Sequence, residues 1–405
     1  MKEPREFKDR KLRVFTCTPV DFTGDESFFS RDSGLLCRGL QSLGIESKAV
    51  MPGSRRVGDL PDLIRTEYKN LEDPNWWKSL NVDGVILYSW AAPRYTPIAA
   101  AIKKAGILLV VCMDTCGVIS PQANSRAWFH DLPMRILLER PFGKGKIRDL
   151  AKYLVESLAS PIARARIHHY RQADIVTVPT PEGADWVRRE ARCLGDDELA
   201  SKFRYQPHPQ SPKFRYSGVA KEKLIISIAR WNPEDWAQKS PRVLIETYRR
   251  FLATNPAWKG LIIGSGATKL LERVGMQAVD GLEFQERIDT DDVPALLDRA
   301  SIGFWSSRWE GQQGTGAQAL CCGCSVVSHG APMMSCFRHY VSRDSGRLAK
   351  SNNPEHLSKA LTLEAHAWEK GERDPFSIAT IWGSEFHAGK VADRALAFLD
   401  LAPVA

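Results

Sequence analysis

The 405-residue chain has no apolar run of the roughly 18 residues that a membrane-spanning helix needs. Its best candidate, Ala99–Val111, is broken by Lys103 and Lys104. The opening MKEPREFKDRKLRVF is charged where a secretion signal would carry an apolar centre, so a cytoplasmic protein is expected. Nine cysteines fall at neither disulfide-framework nor zinc spacing, and an odd count suits a reducing compartment. Cys112 and Cys116 have no Cys/His pair nearby, and Cys321, Cys322 and Cys324 read as small buried thiols. The nine histidines form no catalytic set, and His168-His169 reads as solvated. No Gly-x-Ser-x-Gly elbow, His-x-x-x-His pair or aspartate-rich metal motif occurs, which removes the common hydrolase and zinc chemistries. Internal repeats, heptads and low-complexity tracts are also lacking.

What remains is an ordinary globular composition on a chain too long for one core. Strand and helix patterns alternate throughout. In the first half the strands are Arg13–Cys17, Ser47–Met51, Val82–Tyr88 and Ile107–Cys112, with helices Ser33–Leu43 and Thr96–Ala105. In the second half they are Leu224–Ala229, Gly260–Ile263 and Leu282–Gln285, with helices Pro241–Ala253 and Asp292–Ala300. Such alternation predicts parallel sheets covered by helices on both faces, with ligands outside the C-terminal strand ends. The loops to watch are then Thr18–Asp32, Ser89–Tyr95 and Met113–Ser120 in one half, Arg230–Lys239 and Glu310–Thr315 in the other.

The most informative segment is Phe304–Val327, FWSSRWEGQQGTGAQALCCGCSVV, read as strand, glycine-rich loop, helix and strand. Gly311, Gly314 and Gly316 leave amides bare where the helix begins, and such a start attracts anions. Glu310 adds a fixed acceptor for hydroxyl groups. A diphosphate site beside a hydroxyl acceptor suits a nucleotide sugar.

This segment resembles the donor motif of retaining GT-B glycosyltransferases, in particular glycosyltransferase family 4. There a glutamate is followed, eight residues on, by a second that holds the ribose; here Glu310 is followed by Gln318. Arg230 and Lys239 match the family's diphosphate-binding arginine and lysine, with Ser240 where glycine is common. Ser345–Leu348 and Asn353-Pro354-Glu355 resemble the late turn and final helix start, so the likeness covers 219–370.

The resemblance implies an α/β GT-B protein, two Rossmann-like doubly wound domains facing an interdomain cleft. Residues 1–215 would be the acceptor side and 216–387 the donor side, with a helix in 388–405 (Val391–Leu401) returning to the first domain. The implied catalytic set is Glu310, Arg230, Lys239 and Asp114, the last standing where the family has a histidine or aspartate. Gly264, Arg287, Gln313, Gly314, Thr315 and Gln318 would bind the donor, and Ser33 and Gly34 correspond to the family's glycine pair. Asp32 or Ser33 serves equally as a helix cap.

The expected reaction is metal-independent, retaining transfer from a UDP- or GDP-linked sugar to a glycan or lipid-linked saccharide, with no further cofactor. A base-modifying DNA glycosyltransferase, a degenerate nucleotide-sugar-binding module and a GT-B epimerase or phosphorylase are the other readings. The net charge of +8 is concentrated between Arg135 and Arg171, where Arg140, Lys144, Lys146, Arg148, Lys152, Arg164 and Arg166 also lie. That stretch reads as a solvated face, as a peripheral contact with an anionic membrane through Ile136, Leu137, Leu138 or Leu154, or as a nucleic-acid surface.

Overall fold

A computed structural model describes residues 11–90, 92–113, 133, 136–137, 143–159 and 161–401; Asp114, Arg135, Leu138 and Arg140 lie outside them. The described residues divide into two compact units. One is drawn from Met1–Phe129, Val155–Ser211 and Glu385–Ala405, the other from His130–Leu154 and Pro212–Ser384.

The first unit is built on a parallel sheet. Its strands are β1 Val14–Cys17, β2 Ala49–Pro52, β3 Leu63–Thr66, β4 Gly84–Tyr88, β5 Leu108–Cys112, β6 Ile175–Val178 and β7 Phe203–Tyr205, in spatial order β3-β2-β1-β4-β5-β6-β7. Strands β1, β2, β4 and β6 are buried throughout, as parallel strands covered on both faces must be. The helix Asp32–Ser42 packs against Ala388–Phe398, and a Cβ at Gly39 would stand 2.4 Å from the Ala388 carbonyl oxygen. Only glycine permits that approach. Asp32 begins the first of these helices rather than capping it, and the Arg31 side chain at the cap position pairs with Asp32 at 2.8 Å instead of capping the helix. Ser33, buried in its first turn, bonds to the Thr18 hydroxyl just beyond β1.

The second unit repeats the plan with β8 Glu222–Ile228, β9 Lys259–Ile263, β10 Leu282–Gln285, β11 Ala300–Phe304, β12 Ser325–His329 and β13 Gly346–Ala349, in order β10-β9-β8-β11-β12-β13. Every strand pair is parallel. Two expectations shift. Strand β11 ends at Phe304, where the sequence pattern has it begin, so Trp305–Gln313 is all loop before the helix Gly314–Cys321. Ser345–Leu348 is not simply a turn: Gly346 opens β13 opposite Val326, at φ 153°, where a Cβ would stand 2.0 Å from the Val326 carbonyl oxygen.

The basic stretch is not uniformly solvated. It runs through helices Lys144–Ala159 and Pro161–Gln172. Arg166 and His169, three apart on the second helix, are both buried, and burial lowers the Arg166 pKa. Ile136 is buried as well and presents no surface to lipid, whereas Leu137, Ile147 and Leu154 are about half exposed or more.

His169, fully buried, shares a 2.9 Å hydrogen bond through Nε2 with the Ser89 hydroxyl at the end of β4, and its Nδ1 has no partner among the described residues. Burial, reinforced by neighbouring His168, pushes its pKa from 6.5 down to about 4. The ring is therefore neutral in the fold while the unfolded chain takes up a proton below pH 6.5. This stabilisation is whole above that pH and is lost as pH falls toward 4, by roughly 1.4 kcal/mol per unit. Denaturation midpoints followed from pH 7 to 4.5 should fall less steeply for His169→Gln than for the natural chain. Parallel pH profiles would refute the assignment.

Candidate functional site

In the second sheet the chain runs outward from β8 to β10, then returns to place β11 on the other side of β8. The loops leaving β8 and β11 consequently diverge around one crevice, the point at which doubly wound sheets bind ligands. Arg230 and Lys239 follow β8, and Glu310 follows β11.

Local structure turns these side chains inward. After Arg230 the chain makes a short turn and the helix Trp236–Lys239, closed by Ser240 at φ 51° and ψ 57°. This left-handed geometry costs a non-glycine residue on the order of 1 kcal/mol, which explains why glycine would be the ordinary choice. Ser240 is buried and its hydroxyl has no partner among the described residues, a second local cost. The reversal lets Pro241 start the long helix Pro241–Thr254 while Lys239 stays buried. The Ser306 hydroxyl donates to the Lys239 carbonyl oxygen at 3.1 Å, and the Arg308 amide to that of Gln238 at 2.7 Å, so the two loops are stitched together.

At their junction the Lys239 ammonium meets the Glu310 carboxylate, Nζ to Oε1 at 2.5 Å, with side chains only 10% and 7% exposed. Gln313 Nε2 donates to the same oxygen at 3.3 Å, and Gln238 Nε2 to Oε2 at 3.3 Å and to the Trp309 carbonyl at 2.9 Å. The Glu310 amide donates to the Met333 carbonyl at 3.0 Å. A buried ion pair is tolerated when its remaining hydrogen-bonding capacity is met in this way.

Gln313 then caps the helix Gly314–Cys321: its side-chain oxygen accepts from the Thr315 amide, and the Thr315 hydroxyl donates to the Ile228 carbonyl at 3.1 Å. The Thr315 amide is thus engaged by the cap. A Cβ at Gly314 would meet nothing within 4 Å, so packing does not require glycine there.

Other expected residues stand apart from this network. Arg230 is 72% exposed on its side chain and pairs with Asp235 at 3.1 Å. Gly264 is sterically forced, at φ 134°, because a Cβ would stand 1.8 Å from the Ala229 carbonyl oxygen; it braces the Arg230 loop. Arg287 is exposed beyond β10, next to Glu286, which accepts from the Gly266 amide at 2.6 Å. Gln318 is half-buried one turn into the helix, with no side-chain hydrogen bond to a described residue. Gly34 belongs to the first unit, where a Cβ would press on the Phe28 carbonyl oxygen at 2.4 Å, a packing reason for glycine. Asp114 lies outside the described residues.

Two contributors escaped the sequence reading. Gln238 looks like any polar helix residue. His329 ends β12 buried, its Nε2 2.7 Å from the Ser307 carbonyl oxygen and its Nδ1 3.4 Å from the Ala331 amide. Only the neutral Nε2–H tautomer serves both, and burial lowers the pKa accordingly. His329 thereby fixes the loop that carries Glu310.

Residues 222–363 match the family described as glycosyl transferases group 1. The HepE protein of Anabaena in complex with UDP aligns with TM-score 0.62 at 12% identity, over 96% of this chain and 99% of that one. A further structure of that protein holds UDP-glucose. A glycosyltransferase from Rickettsia africae ESF-5 aligns with TM-score 0.63 at 12% identity, covering 97% and 99%. The lipopolysaccharide outer core galactosyltransferase WaaB, in its apo form, aligns with TM-score 0.57 at 13% identity, covering 96% and 99%. No curated protein matches the sequence at a significant level. The two sheets have the GT-B architecture, and residues 222–363 carry a glycosyl transferase domain, which supports a transferase enzyme.

Removing one partner of the buried pair should be costly. Lys239→Met should destabilise the second unit by about 3 kcal/mol, because the Glu310 carboxylate is left buried without a cation. The double variant Lys239→Met/Glu310→Gln should recover much of that loss in denaturant unfolding. Additive effects of the two substitutions would show that the pair contributes no coupling.

Proposed function

We propose that this chain transfers a sugar, with retention and without a metal, from a nucleotide sugar to an acceptor hydroxyl on a glycan or lipid-linked saccharide. The observation carrying this reading is the buried Lys239–Glu310 pair at the sheet's switch point, directly before a glycine-flanked helix start. The UDP and UDP-glucose held by the HepE structures support a uridine-linked donor, with a GDP-linked one as the other choice.

In this reading the donor diphosphate lies against the start of the helix Gly314–Cys321, where amides and helix dipole favour negative charge. Arg230 and Lys239 offset the charge that builds on the diphosphate as it departs. Glu310 accepts from hydroxyls of the transferred sugar, and Gln318 addresses the ribose, accepting from one hydroxyl and donating to another. The leaving phosphate takes the acceptor's proton on the front face, so no protein nucleophile is needed. Asp114 would orient the acceptor.

Exposed Leu137, Ile147 and Leu154 interleave with Lys144, Lys146 and Arg148, which favours a lipid-linked acceptor at an anionic surface over DNA.

Arg230→Ala should lower turnover by about 2–4 kcal/mol in barrier, the usual scale of a charge-stabilising group. EDTA should leave activity intact. Thermal shifts with UDP, GDP and their sugars come first; binding without turnover across a broad acceptor panel would favour the degenerate module. Leu137→Ser combined with Leu154→Ser should weaken co-sedimentation with anionic vesicles. Tight duplex DNA binding without vesicle binding would favour the base-modifying reading.

A further inference from the structure

The first unit carries a cleft of about 770 Å³ that none of the roles above uses. That volume is in the range of small-molecule sites, roughly 300–1,000 Å³. It opens where β1, β2 and β3 end and where the chain turns after β4, the rim at which such sheets take ligands. Asp21, Gly53, Glu67, Tyr68, Arg94 and Tyr95 line it.

Each wall has a distinct chemistry. Tyr68 is 42% exposed, a large aromatic surface turned to solvent beside the cavity. It lies within electrostatic reach of Tyr95 and Arg94, and the Arg94 guanidinium rests over the Tyr95 ring at 4.6 Å from the centroid. That stacking leaves the N–H edges of Arg94 available as donors: it makes no hydrogen bond or ion pair with a described residue. Opposite, Asp21 is fixed by two arginines: Arg65, at 2.7 Å with its own side chain 3% exposed, and Arg56. A carboxylate has about four lone-pair sites, so Asp21 keeps acceptors facing the cleft. Glu67, paired with Lys69 at 2.7 Å, adds another exposed carboxylate. Gly53, at φ 114°, has no side chain to stand in front of Asp21; a Cβ would lie 3.0 Å from its carboxylate.

We propose that this cleft is a recognition site for a neutral saccharide, with the apolar face of a sugar ring on Tyr68 and its hydroxyl rim between Asp21, Glu67 and Arg94. A pyranose has such a two-sided character, C–H on its faces and hydroxyls around its edge. Two carboxylates repel a phosphate or carboxylate group, and Arg94 with Arg56 and Arg65 behind the wall repels an amine. A neutral ring that both donates and accepts satisfies every group present. The inference rests on the transfer reading in treating this saccharide as the acceptor; the binding itself does not require transfer.

Saturation-transfer NMR and calorimetry with methyl glycosides of glucose, galactose, mannose and N-acetylglucosamine, and with their disaccharides, test the site directly. At least one should bind, and more tightly than glucose 6-phosphate. Tyr68→Ala should weaken that binding about tenfold or more, whereas Tyr68→Phe, which keeps the ring, should stay within about threefold. UDP-induced thermal stabilisation should be equal in all three proteins, which certifies the fold and the donor site separately. In a transfer assay Tyr68→Ala should raise the acceptor KM and leave donor hydrolysis alone. Tighter binding of the phosphorylated sugar, unchanged affinity in Tyr68→Ala, or no binding by any glycoside would overturn the proposal. A natural chain that binds the glycoside but no nucleotide would leave the cleft standing and remove the transfer reading instead.

Discussion

The Lys239–Glu310 ion pair sets the terms for the second unit. Two charges taken out of water cost several kcal/mol each, and their attraction offsets this only when the remaining donors and acceptors are also met. Much of the local architecture does that. Gln238 and Gln313 complete the carboxylate, Ser306 holds the lysine's backbone, and the Glu310 amide is tied to Met333. His329 grips Ser307 from β12. Even the strained Ser240 belongs here, because the left-handed turn ends one helix at Lys239 and starts the next. The helix bearing Gly314 inherits its cap from Gln313, a member of the same network. The anion-attracting helix start and the charged pair are therefore positioned by one set of bonds.

Much of this was legible in the sequence, for physical reasons that differ by residue. Strands such as β9 and β10 announce themselves as short apolar runs between turns, and Leu282–Gln285 is found at its expected bounds. Strand β3 was not readable. It is an edge strand of four residues whose Arg65 is buried by pairing with Asp59 and Asp21, a charge that pattern alone assigns to solvent. Strand β7 is three residues long, too short to show alternation. His169 was misjudged for the same reason as Arg65: its neighbours in sequence are basic, while its neighbours in space are the apolar residues between sheet and helix.

The site shows a sharper division. Glu310, Lys239, Gln313 and Thr315 were singled out by the family resemblance, but the motifs could not say that lysine and glutamate would pair with one another. They are 71 residues apart, and only the order of β8 and β11 brings them together. Gln238 and His329 carry no sequence signal, because their roles are hydrogen bonds to backbone carbonyls and to Glu310. Gly264 illustrates the opposite case. A glycine read as a donor contact is also demanded by the Ala229 carbonyl behind it, so its presence alone says nothing of a ligand. Gly314 differs: with open space around its Cβ, no internal contact accounts for it.

The ion pair also constrains how charge is handled in the proposed reaction. Lysine has three donors, and Glu310 Oε1 occupies one, so Lys239 can address a phosphate without leaving its partner. Paired with a carboxylate, it supplies direction more than net positive charge. Arg230 is the more exposed cation: its side chain is 72% exposed on the same loop and pairs at 3.1 Å with the largely buried Asp235. In the proposed reaction the guanidinium, largely exposed, turns from Asp235 toward the diphosphate. One cation is thus buried and held in a hydrogen-bonded network, and the other is largely exposed. In the proposed reaction the first would fix where the phosphate sits, and the second would supply charge that stabilises it as it leaves.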